Sequence, residues 1–408
     1  MDHLIDILVR IPRLILMHCV VALVQKTSKP RLRGKSLLPL PYKMTTIDTT
    51  GVYDPKKGAY IIVTKVDNTP PKASTKVASF DLDYTLIKPK SGNKFPRDIN
   101  DWVVLPGVGG RLTELYQNNY KIVVFTNQGS SSFDPTEFAK KIRAISNDIG
   151  VPLQCFVASD YGYCRKPSVG MWRLLTEGNE DVEDVEIDMS KSFYVGDAAG
   201  RPKDFSDSDL KFAFNLGLKF FTDVRLLQEK LAKPVHPLDD LDPDNNTVVK
   251  PSGGQEMIIL VGPPASGKTK FASEFEDYVV VNQDKLKTKP KVISVTKQAL
   301  KDGRSVIIDR KNEYIEDRKI FIDMASDHEI PVRIVWFDIP RDVSEHLCVY
   351  REIMTGTHIP AIVLNKYYSR TKGLEIPKDS EGGEVIRRWF KTDLAVVKNP
   401  TIFFSYLV

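Results

Sequence analysis

Apolar residues in this chain gather in short unbroken runs more often than they alternate with polar ones. Lys76–Phe80, Lys121–Phe125, Ser192–Val195, Met257–Val261, Ser305–Ile308 and Arg333–Phe337 are such runs, rich in Val, Ile and Phe. A short continuous run of this kind predicts a strand buried on both faces. Between the runs, Gly109–Asn118, Pro135–Ile149 and Lys268–Phe275 carry helical spacing. Strands alternating with helices predict an α/β protein with two doubly wound parallel sheets. In such folds ligands sit at the carboxyl ends of the strands, so chemistry is sought just after each run.

The stretch Lys233–Gln255 is dense in Pro, Asp, Asn and Gly and reads as a linker. It divides the chain into an extension (residues 1–43), a first α/β domain (44–232), the linker (233–255) and a second α/β domain (256–408). Thr45–Ser74 reads as a looser segment ahead of the first sheet. A length of 408 residues agrees with two or three domains at roughly 150 residues each.

Hydrophobic content of 42% and charged content of 27% exclude a disordered or collagen-like chain. The formal charge of +5 suggests a basic protein until it is located. Residues 1–43 hold eight basic and two acidic residues, leaving 50 basic against 51 acidic in the rest. A bound polyanion must therefore be held by local groups and not by a global field. Four scattered cysteines, Cys19, Cys155, Cys164 and Cys348, exclude a disulfide framework and fit a reducing compartment. The uncharged run Leu14–Gln25 is about half of the ~20 residues needed to span a bilayer, so no membrane association is expected. The extension reads as a targeting presequence or a dispensable segment ahead of Met44. Its basic tract 29–35 reads as a nuclear-import patch, a phosphate contact or a solvated tail.

The first strand, Lys76–Phe80, ends in two carboxylates, Asp81 and Asp83. Asp81 has the chemistry to ligate a hard divalent cation and to attack phosphorus. Asp83 is placed to protonate a leaving oxygen, then to activate water, and it is a second candidate metal ligand. An Asp-x-Asp pair after a strand is by itself an ordinary loop, but further phosphate chemistry comes after it. The next strand ends in Thr126, Asn127 and Gln128, potential donors to phosphate oxygens. Lys166 can neutralise charge shared by nucleophile and phosphate. Asp197, after Ser192–Val195, adds a carboxylate for metal.

The second domain opens with the apolar strand Met257–Val261, which runs into Gly262-Pro-Pro-Ala-Ser-Gly267-Lys268-Thr269. This is a phosphate-cradling loop in its strand–loop–helix context. Gly262 and Gly267 let backbone N–H groups wrap the phosphates of ATP; Lys268 should reach the β- and γ-phosphates and Thr269 the magnesium ion. Asp284 is the candidate base for an acceptor hydroxyl, and Asp309 a candidate in the metal shell. Arg351 is the candidate arginine finger, with Arg318 as a second. Lys285, Lys287, Lys289 and Lys291 add local positive charge beside Asp284, as a polyanion contact or as a solvated lysine face.

Aspartate pair, hydroxyl, lysine and aspartate in this order resemble the motif set of the haloacid-dehalogenase-like phosphatases. The strings 80–87, Ser91-Gly92 through Phe95-Pro96, Asp101-Trp102, 125–128, Arg165-Lys166-Pro167 through Trp172, and Gly196 through Ser206 resemble more narrowly the phosphatase of the bifunctional polynucleotide kinase 3'-phosphatases. So does Asp209 followed by Ala213 through Gly217. In the second domain Val281 through Asp284, Asp309 through Asn312, Arg351-Glu352 and His358-Ile359-Pro360 resemble the kinase of the same family. This resemblance implies a repair enzyme that removes 3'-phosphates through an aspartyl-phosphate on Asp81 and phosphorylates 5'-hydroxyls with ATP and Mg2+. Asp204 and Asp209 are the candidates for a further acidic residue supporting the phosphatase metal. DNA ends, ATP and other strand-break repair proteins are the implied partners, and a monomer in the nucleus the implied state, with mitochondrial targeting by the extension as the other destination. The family's phosphopeptide-binding module is not recognisable.

Three positions depart from the family pattern. Tyr84 stands where glycine is usual, Gln283 where arginine is frequent, and Arg310-Lys311 replace an Asn-Thr pair. The last two keep open a phosphatase whose kinase half is degenerate. A small-metabolite enzyme and an end-binding scaffold without turnover are the other readings.

Overall fold

The structure is a computed structural model that describes residues 59–129, 133–177, 185–225, 233–239, 248–369, 373–389 and 397–408. Residues 1–58 lie outside the described residues, and with them the expected targeting or dispensable extension and its basic tract. All the described residues belong to the unit 46–408.

A six-stranded sheet contains β1 (Ala59–Val63), β2 (Val77–Phe80), β5 (Lys121–Asn127), β6 (Gln154–Ala158), β7 (Phe193–Val195) and β8 (Lys219–Phe221). Their order is β1-β6-β5-β2-β7-β8. All neighbours are parallel except β1, which runs antiparallel to β6 along the edge. The segment expected to be loose thus contributes an edge strand. Thr64, just past it, is buried and donates to Leu153 O while its hydroxyl meets Ser146 Oγ at 2.8 Å. Every residue of β2 is buried, as a central strand with helices on both faces requires. Between β2 and β5 a short antiparallel pair, β3 (Ile87–Lys88) and β4 (Val103–Val104), brackets an excursion. Asp101 pins that excursion, accepting from Ser91 N, Ser91 Oγ and Arg97 N.

The helices of this half are α1 (Val108–Gln117), α2 (Pro135–Ile149), α3 (Gly170–Glu177) and α4 (Ser208–Leu216). The local chemistry of α2 sets both its ends. Asp134 caps it by accepting from Thr136 N and Glu137 N, a contact worth about 1 kcal/mol. Gly150 closes it at φ 79°, a conformation glycine adopts without steric cost.

The second sheet, entirely parallel, has the order β10-β11-β9-β12-β13. Its strands are β9 (Met257–Val261), β10 (Val279–Asn282), β11 (Val306–Asp309), β12 (Val332–Phe337) and β13 (Glu384–Arg388). Its helices are α5 (Lys268–Ser273), α6 (Gln283–Leu286), α7 (Lys289–Lys301), α8 (Ile315–Ser326), α9 (Arg341–Thr355), α10 (Ala361–Tyr367) and α11 (Pro400–Phe403). β9 and β11 are buried along their whole length. The chain is an α/β protein with two doubly wound sheets. Within the stretch read as a linker, Leu238 packs into the core beneath the second sheet and the His236 ring lies 5.1 Å from that of His346.

Candidate functional site

β2 delivers Asp81 to the carboxyl edge of the first sheet, where Asp81 N donates to Val195 O of β7 at 2.8 Å. Lys166 Nζ points at the same spot. It donates to Asp81 Oδ1 at 2.6 Å, Asp209 Oδ1 at 2.7 Å and Tyr194 Oη at 2.9 Å, using all three ammonium protons. The Lys166 side chain is 2% exposed. Burial works against its charge, but Asp209 and Asp81 outweigh that and raise its pKa. Phe125, stacked on Phe156, and Phe212, edge-on to Phe125 and Tyr194, form an apolar layer beside the tyrosine that meets this ammonium.

Asp81, Asp197 and Asp209 place carboxylate oxygens within 4.8 Å of one another. Burial, reinforced by Asp209, Asp197 and Asp83 and opposed by Lys166, pushes the Asp81 carboxyl well above its ordinary range. Burial, with Asp209 adding to it, pushes Asp197 to about 6. Three crowded carboxylates against one lysine leave a surplus of negative charge. That donor set suits a hard divalent cation with oxygen ligands.

Asp209, and not Asp204, is thus the further acidic residue of this cluster. Asp204 faces Arg201, accepting from its Nε at 2.8 Å and from the backbone of Ala199 and Arg201. A methyl group on Gly196 would lie 2.4 Å from the Asp209 carboxyl, so the glycine before Asp197 makes room for the second aspartate. The carboxylate of Asp83 lies outside the three-residue cluster. It accepts from Gln128 Nε2 at 2.9 Å, and the same nitrogen donates to Thr126 Oγ1 at 2.8 Å. Asn127 clasps the Lys166 backbone, its Nδ2 donating to Lys166 O and its Oδ1 accepting from Lys166 N. The amides of Asn127 and Gln128, expected as phosphate donors, are therefore engaged in placing Lys166, Asp83 and Thr126.

Tyr84 adopts φ 62°, the left-handed region where glycine is at ease and a tyrosine is strained. Its hydroxyl donates to Lys94 O at 2.6 Å and so holds the β3–β4 excursion against the aspartate loop. Sequence reasoning passed over Tyr194 and Asn215. Asn215 Nδ2 donates to Pro167 O at 2.8 Å and to Tyr406 O at 2.7 Å, joining the Lys166 loop to the end of the second half.

At the second sheet the loop after β9 takes the expected form. Gly267 has φ 90°, and a Cβ on Gly262 would meet Phe337 Cβ at 2.9 Å. Lys268 is part-buried and donates to Gly262 O, Pro263 O and Ser266 Oγ. Burial pulls its pKa down to about 8. Thr269 Oγ1 and Asn282 Nδ2 both donate to Asp309 Oδ2, at 2.8 and 2.5 Å, so the two expected metal ligands of this half are brought together. Asp284 is exposed on α6, whose start Asn282 caps through Lys285 N. Arg351 is exposed on α9, which is tied to the loop by Ser344 Oγ donating to Pro264 O at 2.9 Å.

Arg318 is neither a finger nor a solvated residue. It is fully buried and grips Glu381 through Nε and Nη2 at 2.7 and 2.8 Å, with Nη1 on Asn312 O. Its work is to join α8 to the turn before β13. Lys285, Lys287, Lys289 and Lys291 are all exposed. Cys155, Cys164 and Cys348 are buried free thiols, and no described helix is long and apolar enough to cross a membrane.

The family model described as polynucleotide kinase 3 phosphatase matches residues 76–226, which contain the whole carboxylate–lysine cluster. The bifunctional polynucleotide phosphatase/kinase of Schizosaccharomyces pombe is 39% identical over 329 residues, covering 76% of this chain and 78% of that protein. The polynucleotide 3'-phosphatase of Saccharomyces cerevisiae is 32% identical over 199 residues, covering 35% of this chain and 84% of that protein. With that first relative aligned across most of both chains, this chain belongs to the bifunctional polynucleotide phosphatase/kinase family.

Proposed function

We propose that this protein repairs strand-break ends in the nucleus, removing a 3'-phosphate with its first half and phosphorylating a 5'-hydroxyl with its second, from ATP. The observation that carries this is the Asp81–Lys166–Asp209–Asp197 cluster on the same chain as the Lys268–Thr269–Asp309 set.

In the first half, Asp81 attacks phosphorus while the bond to the 3'-oxygen breaks, leaving an aspartyl-phosphate. Asp83, oriented by Gln128, delivers the proton to the departing oxygen and then takes one from the attacking water. Thr126 donates to the phosphoryl oxygens, and Lys166 offsets the charge they share with Asp81. Asp81, Asp197 and Asp209 would hold Mg2+, which supplies further neutralisation of the phosphoryl charge.

In the second half, the backbone of Gly262 to Thr269 and the Lys268 ammonium hold the donor phosphates. Thr269 and Asp309 would hold the second Mg2+. Asp284 takes the proton of the 5'-hydroxyl, and Arg351 steadies the transferring group. A nucleic-acid substrate is supported by the exposed rings around the first site. Phe95 and Phe205 are 66% and 80% exposed, with Lys94 Nζ 5.6 and 5.3 Å from their centroids. Such a surface suits a stacked base and a phosphate together.

The test uses an oligonucleotide carrying both a 3'-phosphate and a 5'-hydroxyl. Wild type should yield a 3'-hydroxyl and a 5'-phosphate. Asp81→Asn should stop only the first reaction and Lys268→Ala only the second. Activity retained in both variants refutes these assignments, and phosphorylation lacking in wild type favours a degenerate kinase half.

A further inference from the structure

We infer that Arg310 anchors a backbone phosphate of the acceptor strand in the kinase half; this rests on the kinase reading above. Arg310 follows Asp309 at the end of β11, and Gln283 follows Asn282 at the end of β10. Asn282 and Asp309 are register partners, so Arg310 and Gln283 leave adjacent strands side by side, with Asp284 one residue further on. The donor loop follows β9, on the other flank of β11. Arg310 therefore stands between the strand of the donor loop and the strand of the candidate base.

The arginine is held without being satisfied. Its side chain is 14% exposed, and Nε and Nη1 are shielded from solvent with no hydrogen-bond partner. Its Nη2 lies 3.7 Å from Asp317 Oδ1, beyond a good hydrogen bond, and Lys289 Nζ shares that oxygen at 3.3 Å. The guanidinium sits 5.8 Å from the Phe321 ring centroid. A shielded guanidinium with free N–H groups demands a partner, and a phosphate matches its planar donor array.

Two phosphates are available, one from ATP and one from the nucleic acid. The donor phosphates already have Lys268 and the loop backbone. Arg310 instead contacts α8 through Asp317 and Phe321, and shares Asp317 with Lys289 at the start of α7. Lys285 and Lys287 lie exposed just before that point. This side offers a continuous basic path for a strand whose 5'-hydroxyl reaches Asp284.

The experiment measures fluorescence-anisotropy affinity of the full chain for an oligonucleotide with hydroxyls at both ends, over a range of KCl, and the KM for ATP. Arg310→Ala should weaken oligonucleotide binding about tenfold. It should also make the slope of log affinity against log salt shallower by about 0.7 to 0.9, the loss of one phosphate contact. Arg310→Lys should keep the slope, and both should leave the KM for ATP unchanged. Unaltered oligonucleotide affinity and slope overturn the inference; so does a rise in the KM for ATP, which would assign the guanidinium to a donor phosphate. The 3'-phosphatase activity of the other half reports folding, and Arg310→Gln replaces the alanine variant if that activity falls. A wild type that transfers no phosphate from ATP would refute the kinase reading, while the anisotropy series still tests Arg310.

Discussion

Asn127 holds Lys166 by its backbone: Nδ2 donates to Lys166 O at 3.0 Å and Oδ1 accepts from Lys166 N at 2.9 Å. The lysine's ammonium is in turn committed to Asp81, Asp209 and Tyr194, so its placement depends on an amide that touches none of the reacting atoms. Asn127→Ala should lower the 3'-phosphatase kcat by about 10- to 100-fold, the usual cost of removing a group that orients an active-site residue. The 5'-kinase rate of the same variant, which uses none of these contacts, should stay at wild type. Equal loss in both assays would show general unfolding instead.

The charge balance around Lys166 gives a stability test. Removing one partner of a buried ion pair costs about 3–5 kcal/mol, because the other charge is left uncompensated. Lys166→Met leaves Asp81 and Asp209 facing each other and should destabilise the fold on that scale in the presence of a chelator. Mg2+ should recover part of the loss, and adding Asp209→Asn should recover part of it without metal. Thermal unfolding with EDTA and with Mg2+ reads all three. A metal-independent loss that Asp209→Asn does not relieve would mean that packing, and not charge, is at stake.

Much of this site was legible in the sequence because it is written in local strings. Asp81 and Asp83 end one apolar run, and Gly262 to Thr269 follow another. Strand–helix alternation likewise pointed to the fold class. What was not legible depends on long-range placement. The choice between Asp204 and Asp209 is made by the bare Cα of Gly196 packing on the Asp209 carboxyl. Tyr194 sits inside a buried strand and looks like core until Lys166 is found on its hydroxyl. Arg318 has the sequence context of a helix surface, and only Glu381, 63 positions away, shows it to be internal. β1 was missed although Ala59–Val63 is apolar throughout, because the strand it pairs with, β6, lies far along the chain.

Asn215 makes the C-terminal residues part of the phosphatase framework. It lies 48 positions from Pro167 and 191 from Tyr406, and it bonds to both. Its Oδ1 also accepts from Tyr406 N at 2.7 Å, while Lys211 Nζ of the same helix donates to Val408 O. Removing residues 406–408 should therefore lower 3'-phosphatase kcat several-fold. Asn215→Ala should do the same, and the combination should be little worse than either alone, since both act through one contact. Fully additive losses in a double-mutant cycle would separate the tail from Asn215.

His346 gives this fold an acid limit. Its ring is buried, Nε2 donates to Phe403 O at 2.8 Å, and the His236 ring lies 5.1 Å away. Burial pulls its pKa down to about 3, and His236, and to a smaller degree Lys211, act in the same direction. The unfolded chain takes up a proton at this residue as pH falls through about 6.5, whereas the folded chain does not until about 3. Stability from the neutral ring is thus complete above pH ~6.5 and is lost steadily as pH falls toward 3. Between pH 7 and pH 5 the loss should be about 2 kcal/mol. His346→Asn should be less stable than wild type at pH 7, having lost packing, yet should decline less between the two pH values. Urea unfolding of both proteins at pH 7 and pH 5 measures this difference; parallel declines would place the acid sensitivity elsewhere.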